Sequence, residues 1–242
     1  MRLKKSSAAL VSLLIFGLSS GAQSASLQIA PVVVDVTAPG AAATLSLKNQ
    51  ATRTLNAQVR VFRWSQPNGE DRYEPTQDVV ASPPSVGINP NADYALRVVR
   101  VSRAPVRGEE TYRMLIDEIP DPARQRNGAI SLVLRYSVPV FFSSPDAAPA
   151  KAVWTVARNA GGRLTVTVQN SGDRRMRVAA LKITDAKGTA VNFGAGLIGY
   201  ALGHSTVRWT APGRTSGFGS GGAAAVSAQT DLGPLNAQAS VQ

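Results

Sequence analysis

The sequence predicts an all-β protein with two immunoglobulin-like β-sandwich domains, joined by a short hinge and preceded by a cleaved signal peptide. After residue 25, nearly every hydrophobic pattern alternates with period two, and turn-forming segments rich in glycine and proline separate these patterns. We find no convincing amphipathic helix in this region. Removing 25 residues from 242 leaves 217, a length that favours two domains of about a hundred residues each.

Residues 1–25 have the pattern of a signal peptide. Arg2, Lys4 and Lys5 precede an apolar run over 8–18, and small residues suited to signal peptidase follow it. The run is shorter than the roughly 20 apolar residues that a membrane helix needs, and no later stretch approaches that length. We therefore expect an exported, soluble protein without membrane insertion, whose mature chain begins near Ala25 or Ser26.

Charge and cysteine content exclude several classes of function. Removing Arg2, Lys4 and Lys5 from the 26 basic residues leaves 23 against 15 acidic ones, a net charge of +8. The basic residues are scattered, and no nucleic-acid-binding motif accompanies them, so no nucleic-acid partner is expected. The chain contains no cysteine, which excludes disulfides, thiol catalysis and cysteine-ligated zinc.

The first domain is predicted over residues 26–144. Its strand patterns cover 27–37, 43–48, 56–64, 94–102, 111–119 and 129–142. Turn-forming segments lie between them at 38–40, 67–69, 82–91 and 120–128. Short strands at this spacing, with no helices between them, are typical of an antiparallel sandwich.

A hinge at 145–150 and a second domain at 151–242 complete the predicted architecture. The segment SSPDAAPA at 143–150 has the prolines and small residues of an interdomain linker. Strand patterns follow at 152–157, 163–169, 177–184, 206–210 and 223–230, and residues 213–222 form a glycine-rich loop.

The longest alternating pattern, ISLVLRYSVPVFF at 130–142, is the main indication of function. Seven apolar side chains share one face of this predicted strand: Ile130, Leu132, Leu134, Tyr136, Val138, Val140 and Phe142. Thirteen residues are about twice the usual strand length, so only part of the strand can cover its own core. Pro139 lacks an amide hydrogen, which favours an edge strand or a bulged strand. An overlong apolar edge strand predicts pairing with another polypeptide.

No group of residues predicts catalysis, a metal site or a cofactor. His204 is the one histidine, and no acidic residue stands near it in sequence to orient it. Asp117 and Glu118 are adjacent on a predicted strand and point to opposite faces, so they cannot act as an acid and base pair. The glycines at 217–222 lack the lysine and the strand-to-helix context of a phosphate-binding loop. We expect no enzymatic activity.

Several segments together resemble the periplasmic chaperones of the chaperone-usher pilus pathway. They are LQIAPVVVDV at 27–36, QVRVFRWSQ at 58–66, SPPSVGINPNADYALRVVRV at 82–101, YRMLIDEIP at 112–120 and LVLRYSVPVFF at 132–142. The resemblance implies a periplasmic protein that binds pilus subunits, completes their sheet by donor-strand complementation and delivers them to an outer-membrane usher. It also implies that the donor side chains are Ile130, Leu132, Leu134 and Tyr136.

This chain departs from the family at one implied site. The best-known members anchor the subunit's terminal carboxylate with an arginine on the first strand and a lysine on the last, where this chain has Pro31 and Pro139. The departure resembles the archaic branch of the family. Arg113 and Arg135 are the replacement candidates for the anchor. Val32 and Val34 are further candidates for contacts in the cleft between the domains.

Other interpretations stay open from the sequence. The chain could itself be a secreted β-sandwich subunit of a pilus or surface structure, although such a subunit usually has one incomplete sandwich. A periplasmic hydrolase would depend on His204 or on acidic and serine residues assembled in space. The unbound protein could also cap its own edge strand by forming a dimer.

Overall fold

A computed structural model describes residues 27–120 and 133–242. The predicted signal peptide and the segment 121–132, with Ile130 and Leu132, lie outside these ranges. The described residues form eighteen β-strands and one 3-10 turn, η1 (Pro67–Gly69). Within the same ranges, no helix has the length and apolar character needed to cross a membrane. The predicted all-β class is confirmed.

The strands before residue 144 form two sheets. In chain order they are β1 (Leu27–Ala30), β2 (Val34–Thr37), β3 (Ala42–Asn49), β4 (Leu55–Ser65), β5 (Arg72–Pro75), β6 (Val79–Ser82), β7 (Ser85–Ile88), β8 (Asp93–Arg100), β9 (Glu109–Ile119) and β10 (Arg135–Ser143). One sheet has the order β1-β3-β8-β6, and the other has the order β2-β10-β9-β4-β5 with β7 paired to β4. The two sheets enclose a single hydrophobic core.

Alternation in the sequence explains this first core. Leu45 and Leu47 of β3 and Leu96 and Val98 of β8 are fully buried, while the residues between them on each strand face solvent. The other sheet contributes residues such as Met114 to the same core. Burial of each large apolar side chain contributes about 1.5–3 kcal/mol, so these alternating positions hold the sheets together.

The predicted strand 27–37 is two strands in two different sheets. β1 pairs antiparallel with β3, whereas β2 pairs parallel with β10. The chain crosses between the sheets over residues 31–33, starting at Pro31, which cannot donate a ladder hydrogen bond. The apolar pattern continues across this crossing, because both strands bury side chains in the same core.

The strands after residue 151 form a second unit. They are β11 (Ala152–Arg158), β12 (Arg163–Asn170), β13 (Met176–Thr184), β14 (Ala190–Asn192), β15 (Leu197–Ala201), β16 (Ser205–Arg214), β17 (Ala223–Thr230) and β18 (Gly233–Val241). They pair continuously in the order β14-β13-β17-β18-β11-β12-β16, with β15 beside β13. Side chains from both halves of this path meet in a second core. The domain boundaries drawn from the sequence stay predictions.

Six observed strands have no counterpart among the predicted patterns: β5, β6, β7, β14, β15 and β18. β5, β6, β7 and β14 have three or four residues each, which is too short for an alternation to stand out. β7 falls inside the segment predicted as a turn at 82–91, where it pairs with β4 and buries Val86 and Ile88. β18 turns Gly233, Leu235, Ala237, Ala239 and Val241 inward, and the small side chains of its glycine and two alanines weaken the apolar alternation.

Candidate functional site

β10 has two neighbouring strands along one half and only one along the other. It pairs antiparallel with β9 from Arg135 to Ser143. On its other side it pairs parallel with β2, but only from Val140 to Ser143. Over Arg135–Val138, no strand among the described residues occupies that side. The prediction of an edge strand is therefore right for the first half of β10 and wrong for the second.

Two backbone hydrogen bonds establish which residues of β10 face this free edge. Glu118 N donates to Leu134 O at 3.0 Å on the β9 side, and Ala38 N donates to Ser143 O at 2.9 Å on the β2 side. Because the direction alternates along an antiparallel ladder, even-numbered residues bond to β9 and odd-numbered residues face the other side. The backbone N–H and C=O groups of Arg135 and Ser137 thus point to the free edge.

The side chains of β10 divide in the same alternating way. Val138, Val140 and Phe142 are buried in the first core. Tyr136 and Leu134 on the same face are only half-buried, and the Tyr136 hydroxyl donates to Leu27 O of β1. The apolar stripe therefore leaves its own core towards residue 134. The candidate donor residues Ile130 and Leu132, which would continue the stripe, lie outside the described residues.

Arg135, one candidate anchor, is exposed and already paired. It forms a salt bridge with Asp117 of β9, which also accepts a hydrogen bond from Arg60 Nη2 at 2.6 Å. Burial alone would raise the pKa of Asp117, but hydrogen bonds from Arg135 and Arg60 hold that pKa below its ordinary value. Arg135 is therefore part of a surface network of two cations around one carboxylate.

Arg113, the other candidate anchor, is buried. The residue is only 8% exposed, and its guanidinium carbon lies 3.8 Å from the centre of the Trp64 ring. The Nε atom of Arg113 has no hydrogen-bond partner among the described residues. Arg113 is directly opposite Pro139 in the β9–β10 ladder, at the end of the free edge. β9 and β10 are neighbours, so the two candidate arginines lie on adjacent strands.

An aromatic cluster joins the two units beside Arg113. Trp64 and Phe141 of the first unit pack against Tyr200 and Leu202 of the second. Trp64 and Tyr200 meet edge to face with ring centres 5.5 Å apart. We call these four residues the interdomain cluster. Trp64 lies at the end of the predicted strand 56–64, and the contribution of the second unit to its surroundings was not predicted. Phe141 and Phe142 are adjacent aromatic residues of one strand, so their side chains point to opposite faces. This pair could have indicated from the sequence that both faces of the strand are covered.

Polar bonds fix the same junction. The buried Gln66 donates from Nε2 to Tyr200 O at 2.7 Å, and its Oε1 accepts from Leu202 N at 2.9 Å. Arg175 forms salt bridges with Glu109 and Asp35 of the first unit. The Arg175 backbone N also donates to Glu109 Oε1 at 2.8 Å. No role for Arg175 was predicted from the sequence.

The two candidate cleft valines differ in exposure. Val32, in the crossing between β1 and β2, is 71% exposed. Val34 is 2% exposed and packs in the first core. Its side chain is therefore unavailable at the surface, which corrects the expectation of a cleft contact, and only Val32 is retained.

The residues weighed for catalysis have separate partners. His204 Nε2 lies 2.7 Å from Asp173 Oδ1, a partner that is distant in sequence, and the imidazole is 67% exposed. Asp117 bonds to Arg60 and Arg135, whereas Glu118 is buried and faces Arg53 at 3.6 Å. Within the described ranges, no three histidine or acidic side chains are grouped as metal ligands.

Comparison with solved structures gives relatives of the same fold. One match is a chain of the CsuC–CsuE chaperone-tip adhesion subunit pre-assembly complex from archaic chaperone-usher Csu pili of Acinetobacter baumannii. It has a TM-score of 0.68 and 23% identity, and the match covers 89% of this chain and 98% of that chain. A second match is a chain of the Salmonella enterica complex between SafA pilin and the SafB chaperone. It has a TM-score of 0.61 and 19% identity, and the match covers 88% of this chain and 95% of that chain. The E. coli chaperone DraB matches with a TM-score of 0.58 and 20% identity, covering 90% and 98%.

These matches agree with the predicted two-domain immunoglobulin-like architecture, because they cover nearly the whole of each solved chain. A search of curated proteins gives no match. Residues 26–148, just over half of the 242, match the family described as pili and flagellar-assembly chaperone, PapD N-terminal domain. The segments of β1, β2, β4, β9 and β10 that first indicated a pilus-assembly chaperone all lie within that match. The chain therefore belongs to the family of pili and flagellar-assembly chaperones.

Proposed function

We propose that this protein is a periplasmic chaperone that binds pilus subunits by donor-strand complementation and delivers them to an outer-membrane usher. The single observation that carries the proposal is the free edge of β10, where Arg135 and Ser137 direct backbone groups away from β9. An exposed edge of this kind is a template for adding a strand from another chain. The match to a chain from an archaic system supports the archaic branch.

Apolar side chains supply the affinity in this mechanism. Leu134 is half-buried at the limit of the first core, and Leu132 and Ile130 continue the same alternating stripe. Burial of three such side chains by a subunit is worth on the order of 5–9 kcal/mol before the costs of association. A shift of one residue would turn the whole stripe to the other face, so the alternation also restricts the pairing register.

Arg113 is the proposed anchor for the terminal carboxylate of the subunit. Its guanidinium is buried, and within residues 27–120 and 133–242 its Nε has no hydrogen-bond partner, so a carboxylate there would supply the missing charge and acceptor. It is also opposite Pro139, where the free edge ends. Arg135 is the weaker candidate, because Asp117 already neutralises it.

The test replaces Leu132 and Leu134 together by Glu and measures recovery of a co-expressed pilus subunit from the periplasm. We expect the double variant to remain folded and monomeric but to lose the subunit to degradation, since two charged side chains cannot enter an apolar groove. Ser131→Glu with Val133→Glu is the matched control, because these positions alternate with the donor residues and should preserve recovery. Unchanged recovery with the leucine variant would exclude strand lending.

The proposal includes no catalytic activity and no cofactor. The alternative of a surface structural subunit is less well supported, because the chain belongs to a chaperone family and has two sandwich units. Self-polymerisation of the purified protein would favour that alternative. A dimer of two copies of this protein that dissociates when a pilus subunit is added would instead indicate that the free edges of the two copies pair with each other.

A further inference from the structure

β10 changes its partner at Pro139, and neither backbone group of this proline is available to a bound strand. Pro139 is odd-numbered, so its backbone groups point to the side that β2 occupies from Val140 onwards. It has no N–H to donate. In the parallel register with Val140 opposite Val34, the carbonyl of Pro139 is the acceptor for the Val34 amide. The last residue of the free edge with both groups available is therefore Ser137.

We propose that Pro139 is a register stop that limits how far a bound strand can advance along β10. This inference rests on the proposed strand lending and concerns where the added strand must end. An incoming strand forms backbone hydrogen bonds with Arg135 and Ser137. The next position on the same edge is Pro139, which has no N–H to donate. Any other residue at 139 would present an N–H to that edge and offer one further rung.

The stop matters because the apolar alternation alone does not specify one pairing register. A shift of one residue is prevented by the apolar stripe, but a shift of two residues keeps every apolar side chain on the same face. Apolar side chains continue at every second position from Leu134, just before β10, through Val140, so their apolar character alone does not distinguish registers two residues apart. A fixed end to the ladder removes this ambiguity.

Three features near this position could limit the advance: the missing amide of Pro139, the presence of β2 on the same edge, and the proposed carboxylate anchor at Arg113. Replacing the proline separates the first of these from the other two. Pro139→Val restores the N–H and preserves a strand-forming side chain while leaving β2 in place. The β9 side should be undisturbed, because the odd-numbered backbone groups of β10 do not bond to β9.

The experiment maps the register by disulfide formation. The chain has no cysteine, so Ser137→Cys gives one reactive site on the free edge. The probe is a synthetic ten-residue peptide of alternating threonine and valine with two added N-terminal lysines, made as a series with one cysteine at each position in turn. Its repeat of two residues gives the peptide no register preference of its own.

With Pro139 present, we expect cross-linking to be confined to one cysteine position near an end of the peptide. With Pro139→Val, a second position two residues further along should appear. Pro105→Val, an exposed loop proline, is the matched control and should leave the single position unchanged. An unchanged single position in Pro139→Val would overturn the stop while leaving strand lending intact. Absence of cross-linking at every position in the parent would overturn strand lending and the stop with it.

Discussion

Arg113 and Arg135 differ in burial, and this difference determines which of them can bind an additional anion. Arg135 lies at the surface with Asp117 as its partner. Arg113 is covered by Trp64. Within the described ranges, its Nε has no hydrogen-bond partner and no contact with a carboxylate is seen. A buried cation stacked on an aromatic ring gains about 2 kcal/mol from the ring, which offsets only part of its desolvation. A carboxylate ligand would supply the remainder.

We predict that Arg113→Gln weakens the complex with a pilus subunit roughly ten- to hundredfold, corresponding to one lost charge-assisted hydrogen bond of about 1.5–3 kcal/mol. Arg135→Gln removes an exposed ion pair worth about 0.2–1 kcal/mol and should change affinity less than fivefold. Titration of each variant with a subunit refolded in its presence measures both values. A larger effect from Arg135→Gln would reverse the assignment of the anchor.

Glu110 joins the two sheets of the first unit through buried polar contacts. Arg100 of β8 donates to Glu110 of β9 from Nε at 2.8 Å and from Nη2 at 2.7 Å, and the Tyr112 hydroxyl donates at 2.9 Å. Burial alone would raise the pKa of Glu110, but the hydrogen bonds from Arg100 and Tyr112 hold that pKa below its ordinary value. Ionised Glu110 therefore stabilises the folded state.

We predict that Glu110→Gln lowers the free energy of unfolding by about 3 kcal/mol at pH 7, because it leaves the buried Arg100 without a counter-charge. A depressed folded pKa means that the stabilisation is complete above the unfolded value of about 4.3. It is lost as the pH falls through the folded pKa. The difference between parent and variant in urea unfolding should therefore shrink between pH 7 and pH 3. An equal difference at both pH values would contradict the assigned role.

β10 combines two roles that its sequence does not separate. Its second half is an interior strand between β2 and β9, and its first half is an edge. The alternating pattern is the same in both halves, since one face is apolar whether its own core or another protein covers it. What changes is the partner on the odd-numbered side, and that depends on where β2 ends in space. Only Pro139 signals the change in the sequence.

Strand β1 is connected to the free half of β10 by one side-chain bond. The Tyr136 hydroxyl donates to Leu27 O, and among the described strands β1 pairs only with β3. We predict that Tyr136→Phe lowers the free energy of unfolding by about 0.5–1.5 kcal/mol, the usual net value of one hydrogen bond. Amide exchange in β1 should accelerate while exchange in β8 stays unchanged. Equal acceleration in both strands would indicate global destabilisation instead.

Long strands that cover a core were predictable from the sequence, whereas pairing partners were not. The observed β9 (Glu109–Ile119) and β12 (Arg163–Asn170) agree within two residues with the predicted 111–119 and 163–169. The separation of 27–37 into β1 and β2 could not be predicted, because both pieces bury side chains in the same core. Of the candidate site residues, Arg113 was named as a replacement anchor, but its burial depends on Trp64 and the second unit, which are distant in sequence.

Contacts between the two units converge on the region of Arg113. Asp71 Oδ1 accepts from Trp64 Nε1 and from Gln66 Nε2, both at 2.9 Å. Trp64 covers Arg113, and Gln66 binds the backbone of the second unit. One carboxylate therefore positions both the aromatic ring over the candidate anchor and the amide that joins the units. The surroundings of the anchor depend on how the units are docked.

We predict that Gln66→Ala loosens this docking. The substitution leaves Tyr200 O and Leu202 N buried without their side-chain partner, at a cost of about 1–3 kcal/mol for each group if the interface stays closed. The interface is expected to open instead, which would appear as a larger radius of gyration in X-ray scattering and as two separate unfolding transitions. Gln58→Ala, an exposed glutamine on the same strand β4, is the matched control and should preserve one transition. A Gln66→Ala protein with an unchanged radius and a single transition would show that the interdomain cluster and the Arg175 salt bridges suffice to hold the units together.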